Sequence, residues 1–153
     1  VRTPQHGIAR LHAEDVKIAT IGKAESQLTG QQLVDTGKIF LGLPYLWAGT
    51  SAYGFDCSGF TGAIYAYNGI LLPRDASEQA LAGKAVTKVD LQPGDLMFFA
   101  YNNGKGKVHH VAMYIGDGKM MHSPKAGKTV EIIPISTAGY ANEFSGARRY
   151  LDN

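Results

Sequence analysis

A disulfide within these 153 residues is ruled out at once, because the sequence holds one cysteine, Cys57, and one thiol cannot close an intramolecular bridge. Redox compartment therefore cannot be read from cysteine pairing. No apolar run approaches the roughly 18–20 residues of a membrane-spanning helix. Neither sign of charge is in large excess: the chain is mildly basic, with a formal net charge of +2, and the basic residues are scattered rather than clustered. Nucleic-acid and membrane partners are not indicated. Neither H-E-x-x-H nor paired-cysteine spacing is present, so no metal and no cofactor is expected. There is no internal repeat and no low-complexity segment. No signal-peptide pattern opens the chain. It begins at Val1 without an initiator methionine, so a processed product and a fragment of a longer protein both stay open. The 153 residues, 44% hydrophobic and 18% charged, suit one globular domain.

Residues 1–28 carry short strand signals and are too few to bury a core. They are expected to be an arm, or the remnant of a preceding module. The main domain is expected over 29–153. Thr29 is placed to N-cap a helix over about 31–41, with Leu33, Val34, Gly37, Ile39 and Phe40 as its apolar face. Gly42 and Pro44 end it. A loop rich in glycine and aromatics leads to a second helix over about 57–68, closed by Gly69. Asp75-Ala76-Ser77-Glu78 reads as a capping box for a short third helix. From Pro93 onward strands follow: 96–100, 108–115, 119–123, 129–134 and 146–151. Helices followed by consecutive strands predict an α+β fold with an antiparallel sheet of about five strands.

Cys57 lies in Gly54-Phe55-Asp56-Cys57-Ser58-Gly59-Phe60, at the expected start of the second helix. Free N–H groups and the helix dipole favour a thiolate there. An inert buried cysteine and a catalytic one are about evenly balanced on these grounds. Two downstream histidines supply a base. His109 and His110 are neighbours on one strand, so alternation sends them to opposite faces. His122 lies across a hairpin turned by Asp117-Gly118. A two-residue type I′ loop pairs Met113 with His122 and puts His122 on the His109 face. A three-residue loop with a G1 bulge pairs Ala112 with His122 and puts it on the His110 face. The sequence leaves both registers open.

Leu43-Pro44-Tyr45-Leu46-Trp47-Ala48-Gly49, the cysteine motif, Pro73-Arg74, Leu91 to Phe99, His110 to Gly116 and Met121-His122 together resemble the NlpC-type bacterial cell-wall cysteine peptidases. The resemblance spans about four-fifths of the chain in the family's order. It is strongest to γ-D-glutamyl-L-diamino-acid peptidases that follow SH3-like modules, and Thr3–Val16 weakly resembles the last strands of such a module. Ala48-Gly49 departs from the frequent Gly-Gly.

The resemblance implies a papain-like fold with the nucleophile at a helix start. It implies Cys57 as nucleophile, His110 as general base and His122 as the residue that orients the base. Asp56 would meet a substrate ammonium group, with helix capping as its equally weighted alternative. Tyr45 would stand near the oxyanion and the substrate, and Trp47, Ser58 and His109 would line the pocket. Arg74, Arg148 and Arg149 are read as structural ion pairs or solvated groups. A Cys57–His110 ion pair would make the thiol reactive at mildly acidic pH.

The implied reaction is hydrolysis of the bond between γ-linked D-Glu and meso-diaminopimelate or L-Lys in murein stem peptides. The rivals are another thiol acyl-transfer enzyme on this fold (an amidase or acyltransferase) and a non-catalytic wall-binding module. A monomer, secreted or in the wall, is expected, with the cytoplasm, where murein peptides are recycled, as the alternative.

Overall fold

The structure, a computed structural model, describes residues 28–151 together with 2–3, 7–8, 10, 12 and 14. Most of the arm expected over 1–28 thus lies outside the described residues. Within it β1 (Arg2–Thr3) pairs antiparallel with β2 (Gly7–Ile8). No helix among the described residues is long and apolar enough to cross a membrane.

Helix α1 spans Gly30–Lys38 and starts with a complete capping box: the Thr29 side chain accepts from Gln32 N–H, and the Gln32 side chain accepts from Thr29 N–H. Such reciprocal bonds satisfy two donors that a helix start leaves unpaired. Leu33 and Val34 are buried, whereas Ile39, expected on the apolar face, is 73% exposed because the helix ends one residue before it. A Cβ on Gly30 would lie 1.7 Å from the Pro93 carbonyl oxygen. Glycine there lets α1 dock on the loop that leads into the sheet.

A small ribbon, β3 (Thr50–Ser51) with β4 (Gly54–Phe55), precedes helix α2 (Cys57–Tyr67). Helix α3 is short, Ala76–Gln79. Asp75 is its N-cap residue but makes no side-chain cap bond, so the expected capping box does not form.

The sheet has six strands, all antiparallel: β5 (Lys84–Val86), β10 (Phe144–Arg149), β6 (Leu96–Ala100), β7 (Val108–Gly116), β8 (Lys119–His122) and β9 (Glu131–Pro134), in that spatial order. Five were expected; edge strand β5 is the addition. The five residues of β6 are all buried, because both faces of the sheet are covered. Leu96, Phe98, Val111, Met113 and Met121 pack with Leu33, Val34, Phe60, Ile64 and Tyr65 of the helices. Met97, Phe99, Ala112 and Met120 pack with Tyr140 and Phe144 on the other side.

Two bulges in β7 decide where its histidines face. Phe99 pairs with His110 and Ala100 with Val108, leaving His109 as an extra residue. Tyr114 pairs with Met120 and Gly116 with Lys119, leaving Ile115 extra. The hairpin therefore has the two-residue turn, with Asp117 at φ 50° and Gly118 at φ 65°, as a type I′ turn requires. The bulge at Ile115 then restores the other register, because Met113 faces Met121. Extended by one residue, that pairing puts His122 opposite Ala112, on the His110 face. Neither sequence alternative combined this turn with this register.

Candidate active site

Cys57 is the first residue of α2, capped by Asp56, whose Oδ1 accepts from Gly59 N–H at 2.6 Å. The close cap depends on Gly59: a Cβ there would lie 2.1 Å from the Gly49 carbonyl oxygen. The loop is fixed from the sheet as well, since Ser123 Oγ donates to the Phe55 carbonyl at 2.6 Å. Ala48 in this loop takes φ 58°, a left-handed conformation in which glycine is unstrained. That explains why the Gly-Gly pattern suits this turn, and why Ala48 strains it.

His110 and His122 are both buried, and His110 Nε2 lies 2.8 Å from His122 Nδ1. Tyr140 packs on both rings, with centroids 5.4 and 5.1 Å away. With Nε2 engaged, Nδ1 is the nitrogen of His110 left to serve the thiol. Cys57 and His110 line a common hollow of ≈ 380 Å³ with Tyr45, Lys125, Tyr140 and Glu143. Cys57 also opens onto a second hollow of ≈ 560 Å³, bounded by Trp47, Asp56, Ser58, Arg74 and Asp75. The thiol thus stands where two half-clefts meet.

The sequence profile of the NlpC/P60 family matches residues 42–149. The chain belongs to the NlpC/P60 family. This is a family of cell-wall cysteine peptidases. It is similar to proteins named gamma-D-glutamyl-L-lysine dipeptidyl-peptidase from Bacillus cereus, 65% identical over 78% of this chain and 36% of the relative, and from Bacillus subtilis, 53% identical over 79% and 41%. A crystal structure of an NlpC/P60 family protein from Bacillus cereus superposes with a TM-score of 0.81 at 61% identity, covering 82% of this chain and 41% of that one. The chain spans about two-fifths of the length of these relatives. The NlpC/P60 domain of the peptidoglycan hydrolase SagA superposes with a TM-score of 0.69 at 28% identity, covering 80% of this chain and 99% of that one.

In this NlpC/P60 domain Asp56 has the capping role, and more. Arg74 Nη2 donates to its Oδ2 at 2.5 Å and Arg74 Nη1 to its Oδ1 at 3.2 Å, while Arg74 Nη1 also reaches Ser58 Oγ at 3.0 Å. Arg74 is thus an ion-pair residue on the wall of the cleft. Arg149 is likewise paired, with Asp95, at 2.8 and 2.7 Å, and Arg148 Nε donates to the Ala80 carbonyl.

Trp47 is 83% exposed on the rim and Ser58 is buried in the wall. Tyr45 borders both half-clefts. Burial and the neighbouring Cys57 and Asp56 push its phenol pKa up, so it stays a hydroxyl donor. His109 was expected to point away from His110. The bulge at that position breaks the alternation, and His109 borders both half-clefts, stacked on Tyr101 at 4.3 Å and 3.1 Å from Glu143 Oε2.

Sequence reasoning missed several cleft residues: Lys125, Tyr140 and Glu143 carry no local motif, and Asp75 was read only as a helix cap. It missed Gln79 too, which is fully buried, accepts from Thr61 Oγ1, and donates to the Pro73 and Ser58 carbonyls. That network fixes the chain next to Arg74. Among the described residues, no group of three His, Cys, Asp or Glu side chains is arranged to hold a metal ion.

The electrostatics run against one expectation, the Cys57–His110 ion pair. Burial pushes the Cys57 thiol pKa up; the Val111 N–H lowers it in part, and the Asp56 carboxylate raises it further. Burial also lowers His110 to about 3 and His122 to about 4. Both shifts disfavour charge in a dry site. They favour neutral thiol and neutral imidazole over the ion pair expected from the helix start. Alkylation of Cys57 by iodoacetamide should accordingly inflect at a pH above that of a free cysteine, about 8.5. A rate plateau already reached at pH 6 would instead demonstrate a preformed ion pair.

Proposed function

We propose that this domain hydrolyses the bond between γ-linked D-Glu and an L-diamino acid in murein stem peptides, by acyl transfer through a Cys57 thioester. The observation that carries this reading is that Cys57, at the junction of two half-clefts, shares one of them with His110, which is hydrogen-bonded to the buried His122. The similarity to relatives named for the γ-D-glutamyl-L-lysine bond supports the choice of bond. His110 Nδ1 takes the thiol proton as Sγ attacks the γ-carbonyl carbon. Cys57 N–H and the Tyr45 hydroxyl are the donors for the resulting oxyanion. The amine leaves with the proton from His110. Water, deprotonated by His110, then releases the γ-D-glutamyl product. Neutral resting partners suit this sequence, since charge develops only as the bond forms.

Acidic side chains flank the thiol on the side of Asp56 and Asp75. A free ammonium group at the substrate's N-terminus is the natural partner there, shared with Arg74 on Asp56. The test is digestion of L-Ala-γ-D-Glu-L-Lys, its meso-diaminopimelate counterpart and their N-acetylated forms, read by mass spectrometry. Cleavage after γ-D-Glu is expected, and no cleavage of any of the four would reject the bond assignment. Asp56→Asn should lower kcat/KM about ten- to a hundred-fold for free peptides and less for blocked ones. Equal losses would restrict Asp56 to capping α2 and anchoring Arg74.

A further inference from the structure

The buried histidine pair has one more neighbour, Glu131. Among the described residues, His122 Nε2 is a buried side-chain nitrogen with no hydrogen-bond partner, a state that native proteins rarely leave unexplained. Strand β9 places Glu131 directly opposite His122 in the register, and its Oε1 is 3.6 Å from that nitrogen. The Glu131 side chain is 38% exposed and borders neither half-cleft. The titratable groups around the His122 ring are His110 from β7, Glu131 from β9 and Tyr140. We propose that Glu131 is a positioning residue that selects the tautomers of both histidines and so makes His110 a base.

The argument is proton accounting. A neutral imidazole has one N–H and one bare nitrogen. For His110 Nδ1 to accept the Cys57 proton, its own hydrogen must be on Nε2. Across the 2.8 Å contact, His122 Nδ1 must then be bare and accept. The hydrogen of His122 is thereby forced onto Nε2, where it points at the Glu131 carboxylate.

The opposite arrangement puts the His122 hydrogen on Nδ1 and the His110 hydrogen on its own Nδ1. His110 then presents an N–H to the thiol and cannot act as base, while a bare His122 Nε2 faces a carboxylate, acceptor against acceptor. Glu131 disfavours that second state. The 3.6 Å separation is an ion-pair distance rather than a hydrogen bond, and such contacts tighten when the reacting complex forms. As the proton moves from Cys57 Sγ to His110 Nδ1, thiolate and imidazolium appear together. In this step the proton passes only from Cys57 to His110, and Glu131 acts by orientation alone, in the manner of an orienting acid.

The inference rests on the thiol-peptidase reading but not on which bond is cut, and its first test needs no substrate. Two-dimensional proton–nitrogen correlation spectra of the resting domain should show both histidines neutral with hydrogen on Nε2. A hydrogen on Nδ1 of His122 overturns the proposal. Glu131→Leu should give mixed tautomers and lower kcat about ten-fold or more at unchanged KM and unchanged melting temperature. Glu131→Gln, whose amide oxygen can still accept, should recover the Nε2–H tautomer and part of kcat. A Glu131→Leu protein with kcat within about two-fold of wild type, or with wild-type tautomers, also overturns it.

Discussion

Cys57→Ala should abolish hydrolysis of stem peptides and leave the fold unchanged. Losing the nucleophile of a covalent mechanism removes the reaction path itself, so a fall in kcat of about 10⁴-fold or more is expected. The fold does not depend on the sulfur. Helix α2 is started by the Asp56–Gly59 bond at 2.6 Å and held by Phe60, Ile64 and Tyr65, all fully buried. The thiol is only partly buried at the cleft, so its removal opens space to solvent rather than a sealed cavity, which keeps the cost well below that of a core truncation. Product formation by mass spectrometry and a thermal melt decide the matter together. Wild-type turnover in the variant would dismiss Cys57 as nucleophile. Lost turnover with a collapsed melt would leave a structural role for the thiol, and Cys57→Ser, closer in size, would then separate the two effects.

What the sequence reveals here is local. The Thr29–Gln32 capping box, the start of α2 at Cys57 and the positive φ of Gly118 all follow from residues within four positions of one another, where side-chain chemistry and backbone geometry are directly coupled. The antiparallel sheet was legible from the run of consecutive strands, but not its order, in which β10 lies between β5 and β6, and not β5. Its three residues Lys84–Val86 have no alternation to detect and gain strand form only by pairing with β10.

The bulges at His109 and Ile115 illustrate the same limit. A bulge is decided by the partner strand, so periodicity could not show that both His109 and His110 reach the cleft. The site itself was half visible. Cys57, His110 and His122 lie in recognisable segments. By contrast the Arg74–Asp56 pair and the Gln79 bonds to Thr61 and Ser58 close over separations of 18 residues or more, and Tyr140, Glu143 and Lys125 enter only through the fold. The thiol's ionisation was read from the helix start, a local signal, whereas the desolvation that opposes it is a property of the completed site.

His110→Ala tests both the base and that desolvation. Without an acceptor, the raised thiol pKa leaves little thiolate near neutrality, and general-base catalysis alone is worth about 10²–10⁴-fold. A loss of kcat at the upper end of that range is expected, with partial recovery at alkaline pH where Cys57 ionises unaided. Stability should respond with a distinct pH signature. At pH 7.5 the substitution empties a packed site and leaves His122 Nδ1 without its partner, at a cost of about 2–4 kcal/mol.

Below about 6.5, the unfolded chain protonates each histidine, whereas the folded protein holds His110 neutral down to about 3 and His122 down to about 4. In that window the unfolded state binds more protons, so stability falls as pH falls, by about 1.4 kcal/mol per pH unit for each histidine. Removing His110 removes its share of the slope. The stability difference between wild type and His110→Ala should therefore shrink by about 2 kcal/mol between pH 7.5 and pH 5. Urea melts at the two pH values measure it. A difference that stays constant would mean that His110 is already protonated in the folded protein near pH 6, and would restore the thiolate–imidazolium pair as the resting state.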